Sequence, residues 1–257
     1  MLQSIIPEPS EVLFETTLEP PSPAIDKLRK ESSPDEGEIR TLRGKKNKVA
    51  VGLPYYENLT SRLQNLKEEI PYEIKKQTDN YDFHYVRLTC SFLPDNDCRF
   101  EWARFGVDLK LKGKASVQTK PICWDISPSE IFSTIKYKRN INFTPDLKFK
   151  IIPEVLDAEI KGGIDESKEY VVYEPQITSF GLNRSNVIWE FRNTKERGII
   201  GNKSLLLVIK APKGIKVNGR FLIGAEVSSK LSKWFPYPVK NSDDKVVNVE
   251  YALSAVT

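Results

Sequence analysis

From Tyr81 onward apolar and polar residues mostly alternate with a period of two, the spacing of a strand that buries one face. His84, Val86, Leu88, Cys90 and Phe92 fall on one side, and Tyr85, Arg87, Thr89 and Ser91 on the other. In the next segment Phe100 and Trp102 share a phase that Phe105, Val107, Leu109 and Leu111 reverse. One inserted residue near positions 103–104 would reconcile the two halves, which predicts a β-bulge. Between the segments, Pro94-Asp95-Asn96-Asp97 is turn material and predicts a hairpin. Further strands are expected over 117–126, 131–137, 147–152, 169–173, 187–192, 205–211, 216–227 and 246–252, separated by runs such as Gly162-Gly163 and Pro212-Lys213-Gly214. Residues 205–209 are apolar on both faces, as in a strand flanked on both sides.

One stretch changes period. Leu59, Leu63, Leu66, Ile70 and Ile74 recur at helical spacing between positions 56 and 77. Asn58 or Thr60 is placed to cap that helix, and Pro71 to end or kink it. The pattern as a whole predicts a mostly-β chain: an antiparallel β-sandwich of one or two sheet units with one short amphipathic helix.

The first 48 residues do not follow either period. They hold six of the seventeen prolines, with an acidic opening and then a basic run of Arg40, Arg43, Lys45, Lys46 and Lys48. This composition predicts an extended N-terminal arm and linker, with residues 12–18 available as an edge strand or docking peptide. The expected division is therefore arm and linker (1–48), helix plus first β-unit (49–128) and second β-rich unit (129–257), with a soft boundary at 127–129. The last two would also fit one continuous sandwich.

Charge adds an asymmetry. The chain carries +4 overall; residues 1–39 hold nine acids and three bases, a net of −6, which leaves +10 on the rest. Lys110 and Lys112 alternate along one strand, Lys136 and Lys138 along another, and Lys148 and Lys150 along a third. Lysine-rich outer faces are common on antiparallel sheets, but neighbouring ones would create a positive surface for an acidic partner. The acidic 1–39 segment is the nearest such partner. Trp234, Phe235 and Tyr237, in a proline-punctuated loop, are the expected aromatic docking patch. Trp124 and Trp189 alternate with apolar neighbours and read as core.

The chemistry-bearing residues are few. One histidine (His84) and three cysteines (Cys90, Cys98, Cys123) exclude a histidine-rich metal site and allow at most one imidazole–thiol pair. His84 and Cys90 lie about 20 Å apart on one strand and cannot meet. Residues 198–204 superficially resemble a phosphate loop, but Asn202 precedes Lys203 and a strand follows, where a phosphate cradle wants glycine and a helix. The acid pairs Asp157/Glu159, Asp165/Glu166 and Asp243/Asp244 do not follow a calcium-loop pattern. Neither a metal nor a cofactor is expected.

No stretch is apolar and long enough for a secretory signal or a membrane helix. With an odd, unpatterned set of cysteines, a cytoplasmic location is the expectation. The functional expectation is a non-catalytic protein-binding or adaptor module in a complex, with another protein chain or a second copy as partner and nucleic acid not favoured. Three rivals are a hydrolase built on His84 or a carboxylate pair, a membrane-surface or pore-forming β protein, and a nucleic-acid binder.

Overall fold

A computed structural model of the chain describes residues 11–20, 22–112, 120–138, 169–194, 197–229, 241–245 and 250–253. These are mostly β and form two antiparallel sheets facing one another across one core. In chain order the elements are β1 (Val12–Leu18), α1 (Ser22–Ser32), α2 (Glu36–Arg43), β2 (Asn47–Gly52), β3 (Tyr55–Asn58), α3 (Leu59–Asn65), α4 (Tyr72–Lys75), β4 (Tyr81–Leu93) and β5 (Cys98–Leu111). There follow β6 (Ile122–Ser127), β7 (Glu130–Lys138), β8 (Glu169–Phe180), β9 (Asn186–Arg192), β10 (Gly201–Pro212), β11 (Val217–Ser229), β12 (Asn241–Lys245) and β13 (Glu250–Ala252).

The first sheet runs β1-β2-β4-β10-β6, with β3 also on β4; the second runs β12-β11-β5-β9-β8-β7, with β13 on β11. The two expected β-units interleave: each sheet takes strands from both sides of positions 127–129, and the core runs from Leu18 to Leu253. Inward positions follow the period-two pattern. Val86, Leu88, Cys90 and Phe92 of β4 meet Phe105, Trp189, Phe191 and Phe221 of the facing sheet, all close to fully buried. Phe92 packs at 5.5 Å from Phe100 and 5.3 Å from Phe191, ring centre to ring centre.

Five expectations need correction. The link Pro94-Asp95-Asn96-Asp97 does not make a hairpin. β4 pairs with β2, β3 and β10, and β5 with β9 and β11, so the turn carries the chain from one sheet to the other. The bulge in β5 is present, but at Glu101. Phe100 faces the core, Trp102 turns outward under Arg104, and the inward phase restarts at Ala103.

The arm is also more ordered than its composition predicts. β1 pairs with β2 as an edge strand, and two helices follow it. Asp35 caps α2 through a capping box: its side chain accepts from the Glu38 N–H at 2.7 Å, and Glu38 returns the bond to Asp35 N–H at 3.2 Å. Ile25, Leu28, Ile39 and Leu42 then bury one another in a small separate core.

The predicted helix is split. α3 starts on the Asn58 cap, which accepts from Ser61 N–H at 3.1 Å. It stops at Leu66, and Lys67 has φ 57. A second turn begins after Pro71. Leu59 and Ile74 cover Phe83 on the outer face of the first sheet, with Leu63 and Ile70 beside them, while Leu66 is exposed. Trp124 belongs to this satellite cluster, edge-on to Phe83 at 5.4 Å, and not to the main core.

Candidate binding cleft

At one side of the sandwich the chain steps from β6, the last strand of the first sheet, to β7, the last strand of the second. The step is a short link through a cis Ser127–Pro128 bond. Here the two sheets part and leave a cleft of about 690 Å³, floored by β8 and β10 and rimmed by the segment between β9 and β10.

Each wall follows from strand register. In β8, Ile177 pairs with Ile131 and Pro175 with Phe132, so Gln176 is the unpaired residue of a bulge. Both Gln176 and Ile177 are then 8% exposed, adjacent residues buried together where regular alternation would separate them. No hydrogen bond to the Gln176 amide is found among the described residues. In β10, Leu205, Leu207 and Ile209 face the core, so Lys203, two positions earlier, has the same inward phase and stands opposite Cys90.

Lys203 is half-buried, and burial lowers its ammonium below the ordinary lysine value, with Arg197 pushing the same way. The Cys90 thiol gives it no counter-charge, because burial raises that thiol far out of the neutral range. Arg197 sits on the rim. Its N–H donates to Thr194 Oγ1 at 3.2 Å, and its carbonyl accepts from Thr194 N–H at 3.0 Å. Neither Arg197 nor Lys203 has an ion-pair partner among the described residues. Ile131, Ile177, Ile200 and Leu205 supply an apolar lining beside these two cations.

Among the described residues, none of the lysines expected at an interface lines this cleft. Lys110 and Lys112 are exposed at one end of the second sheet, but β9 and β8 separate their strand from β7, which carries Lys136 and Lys138. Following the register from Ala103 to Phe191, Ile177 and Ile131 places Lys110 and Lys136 toward opposite ends. They stand roughly 40 Å apart along the strands, so the structure does not bring these lysines together. Lys148, Lys150, Trp234, Phe235 and Tyr237 lie outside the described residues, as do Asp157, Glu159, Asp165 and Glu166. Between those ends, outward charges are paired: Arg104 with Glu190 at 2.8 Å and Arg220 with Asp108 at 2.9 Å. The acidic arm does fold back, but onto β2, where Glu15 meets Lys48 at 2.7 Å.

No local pattern marks the cleft residues as a group; of them only the 198–204 segment, with its glycines, lysine and serine, stands out in the sequence. It is indeed a loop leading into a buried strand, β10. Its cleft partners on β7 and β8 are more than 20 residues away in sequence.

His84 does not line the cleft. It is 3% exposed on the inner face of β4 with neither ring nitrogen hydrogen-bonded. Cys123 and His84 both pair with Ile209, from opposite sides, so they stand two strands apart, about 10 Å. Burial, with Asp125 adding to it, raises the Cys123 thiol to about 12, and its Sγ–H donates to the Asp125 carbonyl at 3.4 Å. That is not a nucleophile–base pair. Among the described residues no three metal-ligating side chains gather, and no helix is long and apolar enough to cross a membrane.

No protein-family model matches the chain, and no curated protein matches it. Forty-one chains of solved structures match. One of them, the Clostridium perfringens NetB toxin in its membrane-inserted form, is 12% identical over 81% of this chain and 82% of that one, with a TM-score of 0.19. A likeness at that score bears on neither fold nor function.

Proposed function

We propose that this protein is a non-catalytic binding module that docks another protein chain along the β6–β7 side of the sandwich. One observation carries the reading. Among the described residues, five of the ten large apolar side chains left exposed belong to β7, to the end of β8 and the turn after it, and to the loop before β10: Ile131, Phe132, Phe180, Leu182 and Ile200. Scattered exposed apolar residues need no explanation, but concentration beside a cleft and a free strand edge is the anatomy of a contact surface. The outer edge of β7 has no neighbouring strand among the described residues, and a free edge can accept an added strand. As a test, a photo-crosslinking amino acid replaces Ile200 in one variant and Leu66, exposed on the far helix, in another. The reading expects one discrete heteromeric adduct from Ile200 in extracts of the source cell and none from Leu66. Equal labelling at both, or none at either, defeats it.

A second reading rests on a different observation. β7 and β8 pair from Glu130–Thr178 to Lys138–Glu169, and the sequence between them keeps a period of two: Ile141, Phe143, Leu147, Phe149 and Ile151 alternate with Asn142, Lys148 and Lys150. Amphipathic strands of about 10 residues are the units with which β proteins enter bilayers. Dye release from vesicles with anionic lipid would support membrane action; intact vesicles at micromolar protein would remove it.

A further inference from the structure

The docking surface has its own ligand chemistry. Lys203 is the decisive group: a cation with the inward phase of a core strand, at the open side of the sandwich, beside a thiol that stays neutral. Lys203 is half-buried and has no ion-pair partner among the described residues, and a partly desolvated ammonium favours an anionic ligand. Arg197 on the rim adds a planar, fork-shaped donor suited to a carboxylate. The Gln176 side chain, more than nine-tenths buried at the bulge, offers a further amide with no partner among the described residues. Immediately beside these polar groups lie Ile131, Ile177, Ile200 and Leu205.

We infer that the cleft between the β6–β7 link and the start of β10 is a carboxylate-reading subsite for an extended acidic–aliphatic peptide segment of a partner protein. Its Glu or Asp side chain sits between Lys203 and Arg197, and its flanking aliphatic side chains rest on Ile131, Ile177 and Ile200. The inference rests on the docking reading and adds the partner's chemistry to it. A free inorganic anion would use the cations but not the apolar wall; an apolar peptide would use the wall but leave the ammonium uncompensated. Only a ligand with both features matches both halves of the lining.

The test uses fluorophore-labelled Ile-Leu-Glu-Ile-amide, its Ile-Leu-Gln-Ile counterpart and inorganic phosphate, titrated against the full chain by anisotropy. The glutamate peptide is expected to bind at least tenfold more tightly than the glutamine peptide. Lys203→Met, which keeps the stem and removes the charge, and Arg197→Gln should each shrink that preference severalfold while leaving the glutamine peptide's affinity unchanged. Arg197→Gln is at the exposed rim, so it carries the test if Lys203→Met does not fold. Equal affinity for the two peptides, no peptide binding up to millimolar concentration, or displacement by phosphate at concentrations as low as the peptide's own would overturn the inference. The two readings fail separately. An Ile200 adduct that survives Lys203→Met and Arg197→Gln unchanged leaves docking standing and removes the carboxylate subsite, whereas loss of any Ile200 adduct in the native chain removes both.

Discussion

Single residues here often act through what they leave unpaired or gather. Glu101, the bulge residue of β5, gathers three donors: Ser228 Oγ, Asn193 Nδ2 at 2.9 Å and Arg99. Burial opposes its ionisation, but the bonds from Ser228, Asn193 and Arg99 outweigh burial and hold the carboxyl below its ordinary value. A depressed carboxylate stabilises the fold above the ordinary range, and that stability drains away as pH falls through the folded-state value. Glu101→Gln is expected to cost about 1–2 kcal/mol at pH 7 and to flatten the acid limb of the stability curve, both readable from urea titrations between pH 3 and 7. His84 has the opposite sign. Burial lowers its imidazole, Asp82 resisting, so the unfolded chain takes up a proton that the folded ring refuses. Stability should therefore fall as pH drops below about 6.5. Both nitrogens are without partners, so His84→Leu is expected to raise the melting temperature, more at pH 5.5 than at pH 8. A melting curve unchanged at both pH values, or a gain larger at pH 8, contradicts this account.

At the scale of elements, local signals were legible and long-range pairings were not. The Asn58 cap, the phase break in β5 and the central position of β10 each depend on neighbours within a few residues, and each could be read from the chain. The hairpin assigned to Pro94-Asp95-Asn96-Asp97 failed because a tight turn looks the same whether it joins strands within one sheet or across two. α1 and α2 were hidden by their prolines and short length; the Asp35-Glu36-Gly37-Glu38 capping box was the available signal and was missed. That box now carries a prediction. Asp35→Ala removes a bond that closes the first turn of α2, at about 1 kcal/mol, and hydrogen exchange should quicken in α2 while β4 and β10 keep their protection. The turn between β8 and β9 makes a sharper one. Gly181 has φ 111, and a Cβ there would run into the backbone of Asn186 and Val187. Gly181→Ala should cost ~2 kcal/mol or more through strain, in contrast to Gly214→Ala, where φ is 73 but the surrounding space is open. The cleft was illegible for a related reason: its lining comes from segments distant in sequence, around Pro128 and Ile131, around Gln176 and Ile177, and over 197–205.

The whole molecule depends on how its N-terminal segment closes the first sheet. β1 covers the edge of β2 from Val12 to Leu18, with Leu18 4% exposed in the main core and Leu13 and Phe14 packed against it. Beyond α2 the chain is tied to the turn between the sheets. Lys45 Nζ donates to the Asn96 carbonyl at 2.7 Å, Lys46 N–H to Asp95 Oδ2 at 2.5 Å, and Asp95 N–H to Asn47 Oδ1 at 2.9 Å. These contacts are a ladder, a core residue and short hydrogen bonds between side chains and backbone, none of which depends on long-range attraction between an acidic tail and a basic face. Two truncations separate the explanations. Removing residues 1–10 should leave the melting temperature unchanged, because β1 is intact. Removing residues 1–44 takes away a strand and its buried side chains, a loss of ~3 kcal/mol or more. It also bares the β2 edge, which then invites pairing with another copy. The expected result is a lower melting temperature and concentration-dependent association by light scattering, both insensitive to salt between 20 and about 200 mM, where a Debye-screened tail would respond. A 1–44 truncation that stays monomeric and fully stable, or an effect that salt reproduces in the intact chain, would show that charge rather than the β1–β2 ladder holds the segment in place.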